Sequence, residues 1–292
     1  MKPKVYFTKR TDPDALLMLY EALEYSLQGT VAVKLHSGEK GNQNYVRPEF
    51  VKPLIEHVQG TVVECNTAYA GARNTTDKHI KLMEEHGWSK YFRVDILDAK
   101  EDLELEVPHG KAIKKNFVGA DIKKYDSMLV LSHFKGHPMG GFGGAIKQLS
   151  IGCASSSGKA YIHTAGATKD QYKLWDFVAP QDQFLEAMAE AAKTVVDLFQ
   201  GNIVYINMLV NLSVDCDCCA VAEDPCMKDI GMMISLDPLA IDQACIDRIY
   251  QSKDRGREHF IARVSRQNGL HTLEAAEEVG LGSREYELIC LD

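Results

Sequence analysis

Eight short runs of β-branched and aliphatic residues, spaced by amphipathic stretches, constrain this chain more than any other feature. The runs lie at residues 4–7, 31–36, 61–66, 92–97, 127–132, 203–210, 231–235 and 287–291. Helical signals fill the gaps between them. Thr11-Asp12-Pro13 joins a cap to a proline at the first helical position, and Leu16, Leu19, Leu23 and Leu27 then recur on one face. Residues 181–200 repeat the pattern through Phe184, Met188, Ala191, Val195 and Leu198, with Gly201 as the stop. Further helices are expected over 238–250, opening at the cap Asp237, and over 272–279. Strands alternating with helices predict an α/β fold, its sheet mostly parallel or mixed, with helices on both faces. No linker or repeat interrupts the alternation, so residues 1–292 read as a single α/β domain. A Gly/Ser-rich region at about 133–173 lacks apolar periodicity and is expected to be a long, functional loop.

Charge and cysteine usage narrow the class. Lys and Arg total 33 against 41 Asp and Glu, a net charge of −8 without the concentrated basic face of a nucleic-acid binder. No apolar run approaches the roughly eighteen residues that cross a bilayer, and the first residues lack a secretory signal. A cytoplasmic protein with neither nucleic-acid nor membrane partners is expected. In a reducing compartment, cysteines are not disulfide staples. Cys65, Cys153, Cys245 and Cys290 are scattered and read as small buried hydrophobes. Cys216, Cys218, Cys219 and Cys226 crowd into one short segment and ask for a metal or redox role.

Two segments offer chemistry. The first runs from Ser132 to Lys147 directly after an apolar strand, at the sheet edge where ligands of parallel sheets gather. It carries His133 and His137, the cations Lys135 and Lys147, and the glycines Gly140, Gly141, Gly143 and Gly144. Glycine lets backbone amides approach an anion, so these four with Lys147 form a candidate binding loop for a small anionic ligand or substrate. Lys135 and Lys147 are the catalytic candidates. Formal nucleotide motifs fail: the glycine run lacks the last glycine of a dinucleotide fingerprint, and Gly152 to Lys159 is one residue too long for a P-loop. A tight structural turn is the plain alternative.

The second segment is Asp215-Cys216-Asp217-Cys218-Cys219. If it is extended, Cys216 and Cys218 point the same way and can grip one soft metal. Buried inert thiols are one alternative, and a redox pair is another, with Cys216 and Cys226 better placed for a bridge than the adjacent Cys218 and Cys219. His36 ends another predicted strand and introduces a second glycine loop at the same sheet edge, and His163, just past the Gly/Ser stretch, joins them only if the loop folds back. His36, His133, His137, His163, Cys216 and Cys218 therefore form the candidate metal set, and imidazole with thiolate suits zinc or iron. Asp242 and Asp247 offer carboxylates on a capped helix, and Arg73 with His79 is equally open.

These pieces occur in an order that resembles a known family. Residues 34–42, the 132–147 loop, Gly152-Cys153 with Gly158-Lys159 and His163, Asp215-Cys216-Asp217-Cys218, and residues 229–247 together look like the domain-of-unknown-function 362 family, often associated with iron–sulfur proteins. The resemblance implies an α/β core and a His/Cys site, and no established reaction. Many members carry a ferredoxin-like insert after the position of His163, whereas residues 164–201 here contain no cysteine. An iron–sulfur cluster is thus an option from the family with the ferredoxin motif absent, beside a divalent zinc or iron ion. The expected function is a metal-dependent enzyme or a redox protein with a redox partner. The alternatives are a non-catalytic module that binds or delivers a metal or cluster, and a phosphate-ligand protein with structural cysteines.

Overall fold

The computed structural model describes residues 2–292. Its strands are β1 (Lys4–Thr8), β2 (Val31–Lys34), β3 (Thr61–Glu64), β4 (Val94–Ile96), β5 (Asp102–Glu106), β6 (Lys115–Gly119), β7 (Ser127–His133), β8 (Lys135–His137), β9 (Gly141–Gly143), β10 (Ile203–Leu209), β11 (Gly231–Ser235) and β12 (Glu287–Cys290). Eight of them form one sheet in the order β12-β1-β11-β10-β7-β2-β3-β4. Every run expected from the sequence supplies one strand of that sheet. Only β11 opposes its neighbours; the other pairings are parallel. The fold is mixed α/β with a mostly parallel sheet.

Alternation along the strands assigns the two faces. Val31, Val33, Leu129 and Leu131 enter one core with α1 (Pro13–Glu21) and α2 (Pro48–Val58). Ala32, Met128 and Val130 enter the other, with residues of α7 (Gln181–Leu198) and of the helix that follows β11. All seven residues of β7 and of β10 are buried, as a strand covered on both faces requires.

The helices depart from expectation in instructive ways. They are, after α1 and α2, α3 (Thr76–Glu85), α4 (Trp88–Tyr91), α5 (Ala145–Lys147), α6 (Ser156–His163), α7 (Gln181–Leu198), α8 (Pro238–Gln251), α9 (Arg257–Arg266) and α10 (His271–Glu278). Asp12 caps α1 as predicted, but the helix stops at Glu21, so Leu23 and Leu27 lie beyond it. Asp237 caps α8 through the amides of Leu239 and Ala240. The helices α2, α3 and α9 and the charged hairpin β5–β6 escaped the sequence reading. Acidic residues disfavour strands, and packing rather than propensity decided these elements.

The largest correction concerns 133–173, which is not an irregular loop. It holds the hairpin β8–β9, then α5 running into a π-helical turn (Gln148–Gly152), then α6 and a short 3-10 turn (Gln171–Asp176). Glycine strands have no side-chain periodicity to read, yet every residue of β8 and β9 is buried.

Candidate functional site

The carboxyl ends of β2 and β3 lie side by side, and each ends on a charge inside the protein. Lys34 donates from Nζ to the Glu64 carboxylate and to the Leu35 carbonyl, both at 2.6 Å. Glu64 also accepts from the Ser37 amide at 2.9 Å and the Ser37 hydroxyl at 3.1 Å. Arg73 pairs with Glu39 at 3.1 Å and approaches Glu64 at 3.9 Å. Burial by itself would raise the Glu64 carboxyl, but Lys34 and the neighbouring histidines and Arg73 hold it far below the carboxylate range.

Above this charged floor lies a cavity of about 180 Å³. Lys34, His36, Glu64, Arg73, His137, Lys147, Lys159, His163 and Cys218 contribute to its wall, with Ala68, Ile151, Leu174 and Trp175 as apolar surface. Its place beyond the strand ends is the one anticipated from the fold class. The π-helical turn lines it through Gln148, Ile151 and Gly152, and such turns recur at functional sites.

His137 and Cys218 line this cavity and Cys216 lies beside them, with a ligand-capable atom of each within 4.8 Å of the others. The cysteine segment is a turn rather than an extended stretch: the Cys219 amide donates to the Cys216 carbonyl at 2.9 Å. The Cys218 amide points at the Cys216 sulfur, 3.4 Å away. The hydrogen bond to Cys218 and burial together push the Cys216 thiol up to about 11. All eight cysteines are free, Cys226 included, so the Cys216–Cys226 bridge weighed above is not formed.

The donor set fits a thiophilic ion. One nitrogen and two sulfurs, with the cavity beside them, match a zinc or iron site that keeps a position for substrate. Binding has to remove the thiol protons, and it has to free a His137 nitrogen from the hydrogen bonds that orient the ring. Its Nδ1 accepts from the Gly140 amide at 2.8 Å and the Met139 amide at 3.2 Å, which leaves the ring proton on Nε2. Burial, reinforced by Lys147, lowers this imidazole to about 4.

His133 is placed elsewhere, despite its spacing of four from His137. Its Nδ1 faces Asp217 at 2.9 Å and its Nε2 faces the Val210 carbonyl at 2.7 Å. Both nitrogens meet acceptors, so no lone pair is available to an ion, which corrects its inclusion among the ligands. Lys135, a catalytic candidate, pairs with the same Asp217 at 2.8 Å and is buried. Burial opposes the Asp217 charge, but His133 and Lys135 hold its carboxyl well below the usual range. This cluster pins the Cys216–Cys219 turn to the hairpin.

The glycines are also placed differently from the expected anion cradle. A Cβ on Gly141 would lie 2.8 Å from the Gly269 Cα, and φ at Gly141 is +78°, so this glycine serves a close backbone crossing. The hairpin leads to amides that do bind an anion, but the anion is internal. The Ala145 and Ile146 amides donate to Asp242 at 2.7 and 3.0 Å, and the Asn207 side chain adds a third bond at 2.7 Å. Burial raises Asp242 to about 6 in spite of these bonds. Gly140, Gly143 and Gly144 pack against Met188, Lys147 and Asp242 respectively.

His36 and His163 do reach the cavity, and they present opposite tautomers. His36 Nδ1 accepts from the Gly38 amide at 3.1 Å, so its Nε2 is a donor. His163 Nδ1 donates to the Lys159 carbonyl at 2.7 Å, which leaves Nε2 a lone pair, and the ring stacks on Phe184. Burial lowers His163 to about 4, so it is neutral at physiological pH. Sequence reasoning missed Lys34, Glu64, Glu39 and Asp217. The available signal was a charge closing an otherwise apolar strand, as Lys34 and Glu64 do.

Comparison with known proteins adds little about chemistry. The lactate racemase apoprotein of Thermoanaerobacterium thermosaccharolyticum superposes with a TM-score of 0.40 at 13% identity, covering 70% of this chain and 50% of its own. A structural-genomics protein of Thermotoga maritima gives 0.42 at 9% identity, covering 91% of this chain and 58% of its own. The chain thus spans half the length of the first protein and less than two thirds of the second, and at these values neither likeness extends to function. No curated protein sequence matches. No helix among the described residues is long and apolar enough to cross a membrane. The model of one family, described as a domain of unknown function (DUF362), matches residues 31–247, and the chain belongs to that family.

Proposed function

We propose that the chain is a metal-dependent enzyme whose ion is held by Cys216, Cys218 and His137 and whose substrate is a small anion in the adjoining cavity. The observation that carries this reading is the convergence of those three side chains, two of which line a cavity rich in cations. A zinc or iron ion there supplies a Lewis acid to a bound oxygen. The protein's own part is positioning. Lys147 and Lys159 offer charge to an anionic group, His36 offers an N–H, and His163 Nε2 can accept a proton or a hydrogen bond. Anaerobic purification followed by elemental analysis tests the proposal. About one zinc or iron per chain is expected, lost from Cys216→Ser/Cys218→Ser and from His137→Ala with an unchanged far-ultraviolet spectrum. Wild type that holds no metal and takes up neither zinc nor ferrous iron rules it out.

A thiol redox centre is the second reading, favoured by the His137 ring. With its proton on Nε2, this imidazole suits hydrogen bonding to a sulfur, as a metal-free Cys216–Cys218 pair requires. A reversible two-electron oxidation confined to those cysteines, in protein that binds no metal, would select it over the first.

A further inference from the structure

The charges in the cavity do not balance, and the imbalance has a shape. Lys34 is matched by Glu64 and Arg73 by Glu39. Lys147 and Lys159 also line the cavity, and among the described residues no carboxylate comes within 4.0 Å of either ammonium. Lys159 is only 8% exposed, and its Nζ finds a single protein partner, the Ala154 carbonyl at 2.5 Å. An ammonium enclosed with one neutral acceptor is costly, and a ligand carboxylate removes that cost.

The two lysines are anchored apart. Lys147 ends α5 and its chain lies along Gly143 of the hairpin, beside His137. Lys159 sits on α6 and reaches back to the start of that helix. The neutral ring of His163 lines the same cavity, near enough for both cations to act on it. Ile151, Leu174, Trp175 and Ala68 give the same cavity apolar surface.

We infer that this cavity takes a small organic acid with two carboxylates on a short apolar body, one carboxylate against Lys159 and the other against Lys147. This inference rests on the proposal that the cavity is the substrate site, and it names the substrate class. It does not require the metal for binding. Two separated ammonium groups favour two separated anionic ends over a single compact anion, since one carboxylate leaves the second lysine uncompensated.

The chain carries its own reporter. It has two tryptophans: Trp88 is 1% exposed in the core, and Trp175 is 61% exposed on the cavity wall. Titration of the full chain with succinate, propionate and inorganic phosphate at constant ionic strength, read by tryptophan emission, tests the inference. Succinate should bind about tenfold or more tightly than propionate, the worth of one added charge-assisted contact. Lys147→Met and Lys159→Met should each bring succinate down to the propionate level. The Lys147 side chain makes no hydrogen bond or ion pair among the described residues, so its variant carries the test even if the Lys159 variant does not fold. Equal affinity for succinate and propionate, tighter binding of phosphate, no saturable binding of succinate, or wild-type affinity in Lys147→Met overturns the inference. Repeating the titration on Cys216→Ser/Cys218→Ser separates the two proposals. Retained succinate binding leaves the dicarboxylate site standing even where the metal fails, and binding abolished there assigns the contact to the metal instead of the lysines.

Discussion

The hairpin side and the cavity side of this site are built from neighbouring residues and have opposite electrostatics. On the hairpin side, Asp217 is closed off by His133 and Lys135, and Asp242 by two amides and Asn207. Every charge there has a protein partner. On the cavity side, Lys147 and Lys159 lack carboxylates, and His163 keeps a free nitrogen. A closed set of charges contributes rigidity, whereas an open set remains to be completed by something the protein binds. Two histidines four residues apart thus take different roles: His133 is part of the frame and His137 part of the site.

The sharpest way to break this contrast is at Asp217. Asp217→Ala leaves Lys135 and His133 buried without their anion and should cost about 3–5 kcal/mol. Urea denaturation of Asp217→Ala beside Cys216→Ser/Cys218→Ser, both metal-free, checks it. A loss confined to metal binding, with stability intact, would move Asp217 from the frame into the site.

A middle-sized effect is expected at Asp242, with a defined sign. Its folded pKa of about 6 lies above the ordinary carboxyl value, so the native state holds the extra proton between about pH 4 and 6. This group therefore adds stability as pH falls through that window, and the addition is absent above it. His137 and His163 act in the opposite direction over the same range, because each is lowered to about 4 and gains protons more readily when unfolded. The comparison of wild type with Asp242→Asn isolates the aspartate. The stability advantage of wild type should be about 2–3 kcal/mol larger near pH 4 than above pH 7, from a shift of about two pKa units. A pH-independent difference would mean that Asp242 is not the buried, proton-gaining carboxyl described here.

The smallest effect tests the glycine hairpin. Gly141→Ala places a Cβ against Gly269 at positive φ and should cost about 1–2 kcal/mol. Succinate affinity should be unchanged within experimental error, because the hairpin glycines serve packing. A variant as stable as wild type but defective in binding would restore them to a ligand-cradling role.

The central strands of the main sheet were legible in the sequence because burial on both faces demands β-branched and aliphatic runs, and such runs have few other uses. The Cys216–Cys218 pair and His137 were legible as chemistry-bearing residue types. Their roles were not fully legible. His133 and His137 look equivalent in the sequence, but the acceptors around His133 come from residues up to 84 positions away, whereas the amides on His137 come from the turn that follows it. The same holds for Asp217, which reads as a spacer between cysteines until His133 and Lys135 are seen beside it.

The sequence by itself determined the alternating α/β order, the capped helices at Asp12 and Asp237, and the inventory of histidines, thiols and lysines near the strand ends. Those follow from local propensity and periodicity, which act over a few residues. Tertiary structure decided which charges cancel and which are left over. Whether a lysine meets a carboxylate depends on loops from β2, β3, β7 and the cysteine turn arriving at one point, and the free energy of a buried charge depends on those distant neighbours more than on the residue itself.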